Sequence, residues 1–172
     1  MSNQKSFLTV RELCATALGA ALMTICAWIS IPAQVPFTLQ TFAVFFVTAL
    51  LGLKCGTLSV IVYLLLGAVG LPVFAGFKGG LGSLMGVTGG YLLGFVFSAL
   101  ITRFFSRSFP VLIVSMIVGL VLCYAFGSAW FQILYIRTKG AITTGAVLSA
   151  CVIPYLIPDA IKIALAAVLV RR

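Results

Sequence analysis

VLIVSMIVGLVLCYAFGSAWFQILY, residues 111–135, runs for 25 residues without one charged side chain. A bilayer hydrocarbon core of about 30 Å is crossed by a helix of about 20 apolar residues, so this run is long enough to span it. Similar runs recur along the whole chain, which a cleaved signal peptide at its front cannot explain. The composition agrees: of 172 residues 63% are hydrophobic and only 8% charged, with a mean hydropathy of +1.28. An ordinary soluble domain is about half apolar and about a quarter charged, so a water-soluble fold of this chain would lack a polar surface. The sequence therefore predicts an all-α integral membrane protein.

Working outward from that run, and cutting wherever charge, Pro or Gly clusters interrupt an apolar stretch, gives six segments. The first covers residues 13–31 and stops at Pro32 and Pro36, which remove backbone donors. The second covers 37–53. A tight turn at Lys54, Cys55 and Gly56 leads into the third, 57–73, which closes on Gly70, Leu71 and Pro72. A glycine-rich stretch, 75–90, precedes the fourth segment, which ends near Thr102. A short polar connection, 103–110, leads to the fifth, 111–135, and a loop, 137–144, to the last, which ends at Arg171 and Arg172. The expected architecture is one compact six-helix transmembrane domain over residues 1–172. No internal repeat is visible, whereas many self-sufficient carriers are built from duplicated halves.

The formal charge is +9, from eleven Lys and Arg against two acids. In a soluble protein that excess would suggest nucleic acid or an acidic partner; in a membrane protein basic residues mark cytoplasmic loops. Six crossings put both termini on one side. With the N-terminus inside, Lys5, Arg11, Lys54, Arg103, Arg107, Arg171 and Arg172 lie inside, against Lys78, Arg137 and Lys139 outside. The expectation is a multi-pass protein of the cell membrane with cytoplasmic termini and no nucleic-acid partner. Cys14, Cys26, Cys55, Cys123 and Cys151 form no C-x-x-C pair and have no histidine to join as ligands. They read as buried apolar fillers, and no metal site is expected.

Asp159 and Lys162 are the sharpest chemical signal. Ionisable groups within a spanning helix cost about 2.5–3.5 kcal/mol even on lenient insertion scales, and they usually face the bundle interior. At spacing i, i+3 the two share a helical face. Asp159 lies twelve residues before Arg171, about 18 Å at 1.5 Å per residue, which is past the midplane and within the outer half. Pro158 suits a first helical turn and an acid after it suits a helix N-terminus, so Pro154 and Pro158 suggest a break that turns backbone toward a cavity. The alternative is a plain salt bridge that neutralises both charges.

Gly82, Gly86, Gly90 and Gly94 fall at successive i+4 positions. Where helical they form a smooth stripe for close packing; alternatively, the stretch 76–86 is an extracellular lid with glycine hinges. Tyr91 sits below that lid and is either a hydrogen-bonding or a packing aromatic. At the entrance of the second segment, Thr38 and Gln40 need polar partners and should point inward. On the first helix Ala15/Gly19 and Ala17/Ala21 are small-xxx-small pairs suited to docking a helix of this chain or of another protein. No catalytic set and no Walker loop is visible, so the chain has no means of hydrolysing ATP.

Four stretches, IPAQVPFTLQT (31–41), YLLLGAVGLPVFAG (63–76), GGLGSLMGVTGGYLLGF (79–95) and PDAIK (158–162), together resemble the BioY family. Its members are the biotin-specific substrate-binding (S) components of energy-coupling factor (ECF) transporters. The resemblance implies a six-helix protein that captures biotin from outside, with biotin as transported ligand and no cofactor. Its implied partners are a transmembrane coupling (T) subunit and two ATPase (A) subunits. An A-x-x-x-A docking pattern of the wider class matches Ala17 and Ala21. The resemblance puts the ligand on Asp159 and Lys162, with Tyr91, Gly86, Gln40 and Lys78 as further substrate-binding candidates. A carboxylate and an ammonium can meet the N–H donors and carbonyl of a ureido ring, and Lys78 the valerate carboxylate. The rival readings are a stand-alone facilitator or ion-coupled carrier, which would take up solute alone, and an intramembrane enzyme or assembly factor, which would turn a ligand over.

Overall fold

The computed structural model describes residues 8–33, 35–104 and 108–171; Lys5, Gln34, Arg107 and Arg172, used in the reading above, lie outside the described residues. Helix α1, Val10–Trp28, opens on a capping box in which the Thr9 hydroxyl accepts from the Glu12 backbone and the Glu12 carboxylate from that of Thr9. This satisfies two donors that the first turn leaves free and starts the helix three residues before the expected 13–31 segment. It also ends earlier. Strand β1, Ser30–Ile31, pairs antiparallel with β2, Phe37–Thr38, so the chain that the two prolines break becomes a hairpin. That small ribbon sits in a chain that is otherwise mostly helical, as expected.

Helix α2, Gln40–Ala68, contains the second and third segments and breaks at Gly52, whose φ of 84° and ψ of 178° are not helical. The turn was expected at Lys54, Cys55 and Gly56; the chain uses the one nearby glycine that occupies positive φ, a region β-carbon residues avoid. Gln40 and Tyr63 would be about 34 Å apart along a straight helix, yet their side chains are hydrogen-bonded at 2.8 Å. The two arms therefore fold back on one another. A β-carbon on Gly56 would lie 2.6 Å from the Thr48 backbone, which marks how closely they meet.

A connection with a 3-10 turn, Ala75–Phe77, and the four-residue helix α3, Leu81–Leu84, leads to α4, Gly89–Phe104. Helix α5, Phe109–Lys139, is longer than the expected 111–135 at both ends. The expected 137–144 loop shrinks accordingly, because the helix runs until Gly140 stops it at a φ of 105°. Helix α6, Thr144–Cys151, a 3-10 turn at Ile153–Tyr155, and α7, Leu156–Arg171, complete the chain. The interruption expected around Pro154 thus falls between α6 and α7.

Among the described residues four stretches are long and apolar enough to cross a membrane, namely α1, α2, α5 and 144–171. Large apolar side chains such as Leu18, Ile25, Val114, Val121, Leu165 and Val168 face outward, while Gln40, Thr48, Ser59, Asp159 and Lys162 are buried. A lipid solvent explains that distribution, since in it an apolar exterior costs nothing and polar groups need internal partners. The chain is a membrane protein.

Glycine decides how the helices dock. Gly19 of α1 sits between the two arms of α2, where a β-carbon would lie 2.5 Å from Ser59 and 2.8 Å from Val47. Ala17 and Ala21 face the other way and are exposed. Helices α4 and α5 run antiparallel through Gly90 against Trp130, Gly94 against Cys123, Gly119 against Ser98 and Gly127 against Tyr91. Of the proposed glycine stripe only Gly90 and Gly94 pack this way. Gly82 lies in α3 with nothing within 4 Å, and Gly86 lies in the bend before α4, because the chain there is not one continuous helix. Cys26, Cys55, Cys123 and Cys151 are buried as expected; Cys14 is exposed on α1.

Candidate functional site

The break before α7 places Asp159 in the first turn of that helix, on the same face as Lys162. Both are almost fully buried, at 3% and 6% exposure. Their ion pair is 2.7 Å long, but it is one part of a larger cluster. Asp159 Oδ1 also accepts from the Thr41 hydroxyl at 3.0 Å, and Oδ2 accepts from the Tyr124 hydroxyl at 2.5 Å. Lys162 Nζ donates to Asp159, to the Thr38 carbonyl at 2.6 Å and to the Thr41 hydroxyl at 3.1 Å. An ammonium has three protons, so Lys162 is saturated by protein groups. It lies, in addition, 4.4 Å from the centre of the Phe37 ring, a cation–π contact.

These contacts hold the β1–β2 hairpin against α7. Tyr155 adds two more: its ring stacks on Phe37 with centroids 6.1 Å apart, and its hydroxyl donates to the Val35 carbonyl. Together, the hairpin, the start of α7 and the middle of α5 wall a cavity of about 220 Å³. Asp159, Thr41 and Tyr124 line its polar side, and Leu92, Phe95, Val87 and Tyr91 much of its apolar side. A mostly apolar hollow with a few converging polar groups is the usual form of a small-molecule site.

The connection between α2 and α4 lies at the same end of the molecule. Its first part is firmly seated: Phe74 is buried with its ring over Gly67, and Trp28 of α1 donates to the Pro72 carbonyl at 2.8 Å and stacks on Phe77. Ala75, Lys78, Val87 and Thr88 of this connection reach the cavity. Leu81 and Met85 between them are exposed.

Of the residues singled out in the sequence, Asp159, Gln40, Tyr91 and Lys78 line this cavity. The Tyr91 hydroxyl is 3.1 Å from that of Ser128. Lys162 stands behind Asp159, and Gly86 stands at the rim, its carbonyl accepting from the Trp130 indole at 3.0 Å; neither is among the lining residues. Sequence reasoning passed over Thr41, Tyr124 and Tyr155. The available signal was chemical: a tyrosine hydroxyl inside an apolar segment needs a partner, and Asp159 is one of only two acidic side chains in the sequence.

Comparison with known proteins agrees along the whole chain. Residues 1–172 match the BioY family. The biotin transporter BioY of Thermotoga maritima is 42% identical over 167 residues, covering 95% of both chains. A probable biotin transporter BioY of Pyrococcus horikoshii is 35% identical over 166 residues, covering 96% of this chain and 97% of that one. A crystal structure of the S-component for biotin from an ECF-type ABC transporter superposes with a TM-score of 0.83 at 28% identity, over 100% of this chain and 93% of that chain. These relatives are named as transporters, not enzymes. With the family matched end to end and the fold shared over the whole chain, this chain belongs to the BioY family.

Proposed function

We propose that this chain is the biotin-capturing subunit of an ECF-type importer. It takes biotin from outside into the cavity over Asp159 and delivers it together with a transmembrane coupling subunit and two ATPase subunits. The observation that carries this reading is the buried, pre-organised Asp159 at the wall of a largely apolar cavity, joined to relatives named for biotin transport. A group costly to bury is retained where it meets a ligand. The ureido ring would lie toward Asp159, the fused thiophane ring against Phe95, Leu92 and Tyr91, and the valerate carboxylate toward Lys78 at the exposed rim. Lys162 supports the site through Asp159, and Gly86 shapes its rim.

In this reading the chain crosses the bilayer six times, the two arms of α2 counting separately, with both termini in the cytoplasm. The basic residues at α1, at the α2 turn and at the α4–α5 connection then lie inside. Residues 76–86 of the α2–α4 connection are the outer lid, with Phe74 buried just before it and Leu81 and Met85 exposed within it. Ala17 and Ala21, exposed on the face of α1 opposite Gly19, form the dock for the coupling subunit.

The test is calorimetric titration of biotin, thiamine and riboflavin into the purified protein, freed of copurified ligand, beside Asp159→Asn. Selective biotin binding, weakened at least tenfold by the substitution, is expected, as loss of a charged hydrogen bond of about 1.5–3 kcal/mol implies. A folded wild-type protein that ignores biotin would sink the reading.

A further inference from the structure

Tyr63 is fully buried in the arm of α2 that follows Gly52, yet its hydroxyl is not idle. It donates to the Val73 carbonyl at 3.1 Å and receives from Gln40 Nε2 at 2.8 Å. The proton directions follow from chemistry. A carbonyl can only accept, and a tyrosine hydroxyl has a single proton. Val73 is itself buried, so leaving its carbonyl unpaired would carry the desolvation penalty of an unmade bond. The Tyr63 proton is thereby committed to Val73, and the Tyr63 oxygen faces Gln40 as an acceptor. Gln40 must then turn its NH₂ to Tyr63 and its carbonyl oxygen away from it. Gln40 lines the cavity, and its one side-chain hydrogen bond among the described residues is that of Nε2 to Tyr63, so none is made by its Oε1.

The acceptor capacity of Asp159, which also lines the cavity, can be counted in the same way. A carboxylate has about four lone-pair sites, two per oxygen. Oδ1 already accepts twice, from Lys162 and Thr41, while Oδ2 accepts once, from Tyr124. One site on Oδ2 is left. The cavity thus presents two open acceptors, Gln40 Oε1 and Asp159 Oδ2, on different elements.

We propose that Tyr63 is a positioning residue for ligand selection: by fixing the Gln40 amide it makes Gln40 a second acceptor, so that the site selects a ring carrying two N–H donors, one for Gln40 and one for Asp159. This deepens the biotin reading and rests on it, since a ureido ring has that donor pair. Tyr63 also ties the choice to the loop that closes the cavity. Val73 precedes Phe74, whose ring meets that of Tyr63 edge-on at 5.5 Å, and Lys78 of the same loop reaches the cavity.

The experiment compares biotin with two cyclic carbamate analogues, each with ring oxygen in place of one of the two ureido N–H groups. The replacement keeps the shape and sets a lone pair against an acceptor. Wild-type protein should bind each analogue at least about tenfold more weakly than biotin, the scale of one lost buried hydrogen bond. Gln40→Met should erase the discrimination against one isomer and keep it against the other; Asp159→Asn should do the reverse. Tyr63→Phe, which keeps the ring and its packing, should reproduce the Gln40→Met pattern and add nothing on the Gln40→Met background. A merely structural role for Tyr63 would lower affinity for all three ligands alike, and that result overturns the proposal, as does full discrimination against both isomers in Gln40→Met. Biotin binding with unmoved ratios defeats this inference alone, whereas a folded wild type that fails to bind biotin defeats the biotin reading as well.

Discussion

Two seams of this bundle solve the problem of packing helices in lipid by opposite means. Between α4 and α5 space is closed by removing side chains: Gly90, Gly94, Gly119 and Gly127 each receive a neighbour from the facing helix, and Ser98 donates to the Gly119 carbonyl at 2.8 Å. Between α2 and α7 space is filled with charge, through Asp159, Lys162, Thr41 and the Thr38 carbonyl. The first seam gives close van der Waals contact with no buried charge, which suits a scaffold. The second accepts the expense of an ion pair that apolar residues of similar volume would replace at little or no cost. The cavity is walled from both seams, but its buried carboxylate, Asp159, belongs to the second, so the polar cluster is where the molecule's stability and its function diverge.

The strongest way to break that contrast is to remove one partner of the ion pair. Lys162→Met leaves Asp159 buried without its counter-charge and should destabilise by about 3–5 kcal/mol, seen as a large drop in thermal unfolding temperature in detergent. The double variant Asp159→Leu with Lys162→Met should recover most of that loss while biotin binding stays abolished. If the double variant is as unstable as the single one, the pair is a structural need and the distinction between the seams fails.

A smaller effect is expected at the glycine seam. Gly90→Ala drives a methyl to 2.3 Å from the Trp130 β-carbon, and Gly127→Ala to 2.3 Å from the Tyr91 ring. Overpacking of this kind costs about 1–3 kcal/mol. Gly90→Ala should lower the unfolding temperature and affect biotin affinity little, while Gly127→Ala, by pushing on the cavity-lining Tyr91, should affect both. The smallest effect belongs to Gly82→Ala. Nothing lies within 4 Å of the added methyl and the backbone there is not of positive φ, so a change within about 0.5 kcal/mol is expected. A large loss at Gly82 would mean that the stripe packs along its whole length.

Much of the candidate site is legible in the sequence. Asp159 and Lys162 announced themselves as charges in an apolar helix, and Gln40 as a polar residue at a helix entrance. Their shared face followed from helical geometry. The partners were not legible. Thr41 and Tyr124 lie 118 and 35 residues from Asp159, and nothing in their own neighbourhoods marks them among the other polar residues of apolar segments. Tyr63 was hidden for the same reason: its role depends on Gln40 and on Val73, which meet only because α2 turns back at Gly52. The turn itself was misplaced by two residues at least, since Lys54, Cys55 and Gly56 carry the usual charge and glycine of a break. In the structure Lys54 instead lies 3.3 Å from Glu12, tying the turn to the start of α1.

By itself, the sequence determined that the chain lives in a bilayer, where its apolar segments lie, and which helix carries the buried charges. These are local quantities: hydropathy sums over about 20 residues, and helical periodicity relates residues three and four apart. Only the tertiary structure decided which way each helix is rotated, and with it the functions of residues that look alike in a list. Gly19 turned inward against Ser59 and Val47 while Ala17 and Ala21 turned out; Lys162 was consumed by three protein acceptors while Asp159 kept one lone-pair site open. Rotation and pairing depend on contacts between segments distant in the chain, whose energies no local pattern encodes.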